Sequence, residues 1–100
     1  MSAITFQQVI DQFLEGETNA FAGTEKNPGN LRIDGDQIIH YSTPIAERYG
    51  DKYLLNITRY SIQTGQVQKK LKASIPIEKR IDVRQVPPDT RLTLKDYIVK

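Results

Sequence analysis

The spacing of apolar residues switches from helical to strand-like within the first third of this 100-residue chain, and that switch limits the fold to an α+β arrangement. Phe6, Val9, Ile10, Phe13 and Leu14 fall at i, i+3, i+4, i+7 and i+8, which is one stripe of a helix. Thr5, with Gln8 three residues on, makes a capping box, and Gly16 is a natural stop, so a helix over 6–15 is expected. Gln7, Gln8, Asp11, Gln12 and Glu15 form its wet face. Residues 16–30, rich in Gly, Asn and Thr, read as a loop with Phe21 turned toward the core.

Beyond residue 30 the period is two. Leu31–Ile33 and Gln37–Thr43 read as strands around Asp34-Gly35, a turn in which both central residues take positive φ. Pro44 belongs at a strand edge or a break. Ile45–Tyr49 and Lys52–Ile62 make a second hairpin around Gly50-Asp51, a II′ signal that sets Ala46 against Leu55 and Arg48 against Tyr53. Either face of that last strand, Tyr53-Leu55-Ile57-Arg59 or Leu54-Asn56-Thr58-Tyr60, fits the core side of such a pattern. Thr64 caps a second helix over 65–74 with a thin stripe of Val67, Leu71 and Ile75, and Pro76 ends it. Ile77, Ile81 and Val83 mark a last strand, Pro87-Pro88 breaks the chain, and Thr93 with Asp96 caps a short helix carrying Leu94, Tyr97 and Ile98. The expected organisation is one α+β domain over 1–76, two helices packed on a small antiparallel sheet of β-hairpins, with a basic C-terminal extension over 77–100 packed on or extending from it.

Composition excludes several kinds of chemistry. With no Cys there is no disulfide, thiolate metal site or thiol nucleophile, and the one His is His40. No metal or cofactor is expected, since Asp34-Gly35-Asp36 reads as a turn and lacks the converging oxygens of a cation loop. His40 and Ser42 sit at i and i+2 on a strand, and Glu47 and Asp51 flank a turn. Neither pair has the geometry of a nucleophile–base or acid–base couple, so no enzyme is expected. There is no signal-peptide pattern and no apolar run long enough to span a bilayer, which points to a cytoplasmic protein.

Charge is split along the chain. Residues 1–51 carry three basic side chains against eight acidic ones, and residues 52–100 carry eleven against four. Such lobes suit charged partners. Lys69, Lys70, Lys72, Lys79, Arg80 and Arg84 are the candidate nucleic-acid or partner-binding residues, because cations on phosphates supply most nucleic-acid affinity. Tyr41, Asn56, Arg59 and Tyr60 form a candidate partner surface, where exposed aromatics can stack on bases. An unpaired strand near 77–83 would offer an edge to a second copy, giving a homodimer.

The middle of the chain carries Gly29-Asn30, Asp34-Gly35-Asp36, Tyr41-Ser42-Thr43-Pro44-Ile45-Ala46 and Asn56-Ile57-Thr58-Arg59-Tyr60-Ser61 in order. In this it resembles, over roughly residues 5–75, a family of small uncharacterised proteins of phages, plasmids and microbial genomes. The resemblance implies helix, hairpins and helix in that order, and a mobile-element setting; it implies no activity. It departs from the family where a His precedes the Gln of the second helix: here Val67 precedes Gln68. The expected function is therefore a small non-enzymatic binding protein of phage or mobile-element type. It would act on a protein of a nucleic-acid machine, as anti-CRISPR-like inhibitors do, with direct DNA or RNA binding as the alternative.

Overall fold

The computed structural model describes residues 4–24, 28–87 and 93–98. Helix α1, Phe6–Leu14, opens on Thr5, whose hydroxyl accepts from the Gln8 amide at 3.1 Å while the Gln8 side chain accepts from the Thr5 amide at 2.8 Å. Both halves of the expected capping box are thus formed. Val9, Ile10 and Phe13 are fully buried, with Phe6 and Leu14 packed at their edge. Gly16, at φ +102°, carries the chain out of the helix in a conformation that disfavours a side chain.

Residues 16–30, expected as a loop, hold a strand. β1 (Asn19–Gly23) pairs antiparallel with β2 (Pro28–Asp34). Its small and polar residues hide the period, and its stability comes from pairing rather than propensity. β3 (Gln37–His40), β4 (Thr43–Tyr49) and β5 (Lys52–Asn56) follow as antiparallel neighbours. The β4–β5 register sets Ala46 opposite Leu55 and Arg48 opposite Tyr53, with Gly50 at φ +61°, as the Gly-Asp turn predicts. The first hairpin is shifted by one residue. Asp34 pairs with Gln37, so Gly35 and Asp36 are the central residues, and Gly35 at φ +65° is the one with positive φ. The break expected at Pro44 comes earlier, at Tyr41-Ser42, and Pro44 sits within β4 opposite Ile39 beside an irregularity in register.

Helix α2 runs Ile62–Ser74 and starts three residues before the expected position, because Ser61 and not Thr64 is its cap: the Ser61 hydroxyl accepts from the Thr64 amide. α2 is the crossover to β6 (Arg80–Val83), which lies parallel to β5. The sheet therefore has six strands in the order β1-β2-β3-β4-β5-β6, one more than expected and with one parallel pair. Arg80 and Asp82, ion-paired at 3.1 Å, put charge on the edge strand where pairing with a second copy was considered.

Both faces of β5 are buried. Leu55 belongs to the core under α1 and α2, and its neighbour Leu54 belongs to a second core with Val83, Val86 and Leu94. The part of 77–100 that is described is thus built into the fold on the far side of the sheet. Glu47, expected beside an exposed turn, is buried at the centre of this attachment. Its carboxylate accepts from the Gln37 side chain at 2.7 Å, the Leu94 amide at 3.0 Å and the Thr93 hydroxyl. On the helix side, the Arg48 guanidinium donates to the Phe13 carbonyl at 2.6 Å, to the Gly35 carbonyl at 2.9 Å and to the Glu17 carbonyl, and lies 4.4 Å over the Phe13 ring. Tyr53, opposite Arg48, donates to the Leu14 carbonyl at 3.2 Å. Tyr53 thus serves a carbonyl at the end of α1, and Arg48 adds a second donor to the Phe13 carbonyl, which also accepts from the Gly16 amide at 3.2 Å.

Candidate functional site

The turn between β3 and β4 lies against the N-terminal half of α2, and its central residue is in an unusual state. Tyr41 has φ +57°, a left-handed conformation that favours glycine. Its amide donates to the Asn30 carbonyl at 2.7 Å, its carbonyl accepts from Arg32 at 2.8 Å, and its hydroxyl donates to Gln63 at 3.3 Å. The ring is nevertheless 50% exposed. Backbone in this state persists where surroundings over-determine it, and such residues cluster at binding sites.

Beneath Tyr41 is a cavity of about 270 Å³ between α1, α2 and the turn, with Phe6, Val67 and His40 as its apolar and aromatic wall. Asn30, Gln63, Gln66 and Lys70 supply its polar lining. His40 is 3% exposed, with the rings of Phe6 and Tyr41 set edge-on to it at 5.9 and 4.6 Å. Its Nδ1 is 3.0 Å from the Thr64 hydroxyl oxygen, and Ser61 donates to that same oxygen at 3.2 Å. The partner of His40 is therefore Thr64 on α2, and Ser42 stands exposed in the turn.

Burial pushes the His40 pKa below its ordinary 6.5. The unfolded chain then takes up a proton that the folded chain resists. The stability held by the neutral ring is complete above 6.5 and is lost as pH falls toward the folded-state value. Thermal unfolding should show the melting temperature falling as pH drops below 6.5, with a smaller fall in His40→Gln. Equal slopes in the two proteins would remove His40 as the cause.

A second, more open depression of about 410 Å³ continues from this cavity along α2, lined by Gln7, Gln66, Lys69, Lys70 and Ala73. Gln66 and Lys70 belong to both, so the two make one groove between α1 and α2. Gln7 bridges its walls by donating to the Ser74 hydroxyl at 3.1 Å. Among the described residues neither Lys69 nor Lys70 is in an ion pair.

The predicted residues divide accordingly. Lys69 and Lys70 share the groove, and Tyr41 stands at its end. Lys72, at about 3.6 residues per turn, falls on the opposite flank of α2 together with Gln68. Lys79 and Arg84 are exposed on the segment after α2, away from the groove lining, and Arg80 is half-buried against Asp82. Asn56 is not a surface residue: it is fully buried, and its amide donates to the Pro44 carbonyl and the Tyr60 hydroxyl, both at 3.0 Å. Tyr60 is half-buried and donates to the Val86 carbonyl, while the Thr58 hydroxyl accepts from the Val86 amide at 3.0 Å. The Asn56–Ser61 motif is therefore a clasp for the chain after β6 and the cap of α2; Arg59 and the capping Ser61 are its exposed members. Sequence reasoning missed Phe6, Asn30, His40, Gln63, Thr64 and Gln66 as site residues. The available signal was a lone His beside an aromatic, and nothing local linked it to Thr64.

No family model, curated protein or solved structure matches this chain. Among the described residues no cluster of His, Cys, Asp or Glu could hold a metal ion, and no helix is long and apolar enough to cross a membrane.

Proposed function

We propose that this protein is a non-enzymatic binding module that takes a single nucleic-acid strand along the groove between α1 and α2. The observation that carries the reading is the meeting of Tyr41, half-exposed on a constrained backbone, with unpaired Lys69 and Lys70 on one groove. Single-strand sites combine cations for the phosphates with aromatic faces for the bases, and the amides of Asn30, Gln63 and Gln66 can serve base edges. The remaining cations, Lys72, Lys79 and Arg84, add long-range attraction without belonging to the groove.

Fluorescence anisotropy with a labelled single-stranded oligonucleotide at low salt tests it. Affinity should fall steeply as salt rises. Lys69→Glu with Lys70→Glu should lower affinity by roughly tenfold or more, and Tyr41→Ala by a similar factor, since base–aromatic stacking contributes about 1–3 kcal/mol per base. No anisotropy change for DNA or RNA at low salt would sink the reading.

A second reading has one observation of its own. Ile62 and Ile77, 83% and 75% exposed, lie on or just beyond α2. Exposed aliphatic side chains at both ends of a basic helix suit a protein partner within a nucleic-acid machine, the inhibitor class expected from the sequence. Loss of a captured host partner on Ile62→Asp, with oligonucleotide affinity unchanged, would favour it.

A further inference from the structure

The buried end of the groove has features that phosphate binding does not use. We propose that the cavity beneath Tyr41 receives one unstacked nucleobase, with the second ring nitrogen of His40 donating to a base acceptor and Lys70 meeting the phosphate of the same nucleotide. This deepens the strand-binding reading by assigning the base-recognising subsite.

Size comes first. About 270 Å³ lies just below the roughly 300–1,000 Å³ of ordinary small-ligand sites, so the cavity suits one ring system and not a whole cofactor. Its walls suit a flat, partly polar guest. Phe6, Val67 and the Tyr41 ring offer apolar and aromatic surface, and Asn30, Gln63 and Gln66 offer amides that both donate and accept. Unpaired bases are held by such pairs of stacking surface and edge-reading amide.

His40 supplies the independent observation. It is 3% exposed and lines the cavity, yet only Nδ1 has a hydrogen-bond partner among the described residues. Among the described residues no side-chain nitrogen or oxygen sealed from solvent is left unpartnered, so Nε2 keeps access to solvent, and the cavity is what His40 lines. Its role follows from a chain of hydroxyls. The Ser61 oxygen accepts from the Thr64 amide, and the Ser61 hydroxyl donates to Thr64. In the tautomer that we assign, the Thr64 proton points to Nδ1 at 3.0 Å. A neutral ring that accepts at Nδ1 carries its proton on Nε2 and presents a donor to the guest. A base carbonyl or ring nitrogen entering the cavity would take the place of water at this donor.

Imidazole and amide signals in ¹⁵N NMR spectra, followed while AMP, GMP, CMP, UMP and ribose 5-phosphate are added in turn, test the assignment. At least one nucleotide should shift the His40 ring signals saturably in the millimolar range, and ribose 5-phosphate, which lacks the base, should leave them in place. Thr64→Val, which removes the hydroxyl that orients the ring, should weaken the preferred nucleotide by roughly three- to tenfold. Lys70→Ala, on the surface, should weaken the nucleotide but not the corresponding nucleoside. Ribose 5-phosphate shifting His40 as strongly as a nucleotide overturns the proposal, as does a silent His40 with every nucleotide. Oligonucleotide binding with a silent His40 would leave the strand-binding reading standing without this subsite. Nucleotide binding without oligonucleotide binding would do the reverse.

Discussion

Asn56→Ala should lower stability by about 3 kcal/mol, one of the largest losses available to a single change in this protein. The side chain is fully buried and makes three hydrogen bonds: its amide donates to the Pro44 carbonyl and the Tyr60 hydroxyl, and its oxygen accepts from the Thr58 amide, all at 3.0 Å. Alanine takes the donor from the Pro44 carbonyl in the core and the acceptor from the half-buried Thr58 amide, at about 1–3 kcal/mol for each group that water cannot reach. It also frees Tyr60, whose hydroxyl holds the Val86 carbonyl. In a domain of this size each kcal/mol moves the melting temperature by roughly 4–8 °C, so calorimetry should record a fall of more than about 10 °C. A fall of only a few degrees would mean that water replaces the amide. Tyr60→Phe keeps the ring and removes only the hydroxyl, so it should give a smaller loss.

Glu47→Ala should detach the C-terminal segment before it unfolds the sheet. The buried carboxylate accepts from Gln37, Thr93 and the Leu94 amide, and so ties β4 to the turn at Leu94–Tyr97, where Lys95 also lies 5.9 Å over the Tyr49 ring. Hydrogen bonds to a charged acceptor contribute about 1.5–3 kcal/mol each, more than neutral ones. The attachment also rests on Leu94 packed with Leu54, Val83 and Val86. Hydrogen exchange should therefore show the Leu94 amide losing protection by at least about tenfold, with amides of β2 and β3 little changed. A uniform loss across the sheet would instead make residues 93–98 part of one cooperative unit with it. Because the groove lies on the other face, oligonucleotide affinity should survive this substitution, which separates the stability of the tail from the proposed binding.

The candidate site was only partly legible. Lys69 and Lys70 stood out because a run of like charge is visible in one dimension, and their place on one groove follows from the helix that carries them. Lys72 belongs to the same run yet turns to the other flank, which only the position of the buried stripe Thr64, Val67 and Leu71 decides. Asn56 and Tyr60 looked like surface residues because a polar residue in an alternating strand usually faces water. Here the segment after β6 covers that face and turns both side chains inward. His40 looked idle because its partner, Thr64, is distant in sequence and sits on another element.

Local pattern alone determined α1 with its capping box, the β4–β5 register and the α+β class, since each rests on side chains a few residues apart. The tertiary structure decided what depends on partners far along the chain. β1 is a strand because β2 is beside it. β6 lies parallel to β5 because α2 crosses between them. Both faces of β5 are core because helices cover one and the tail the other. Hydrophobic period records that a face is buried but not what buries it. The groove, made where α1, α2 and the Tyr41 turn converge, exists only once those distant contacts have formed.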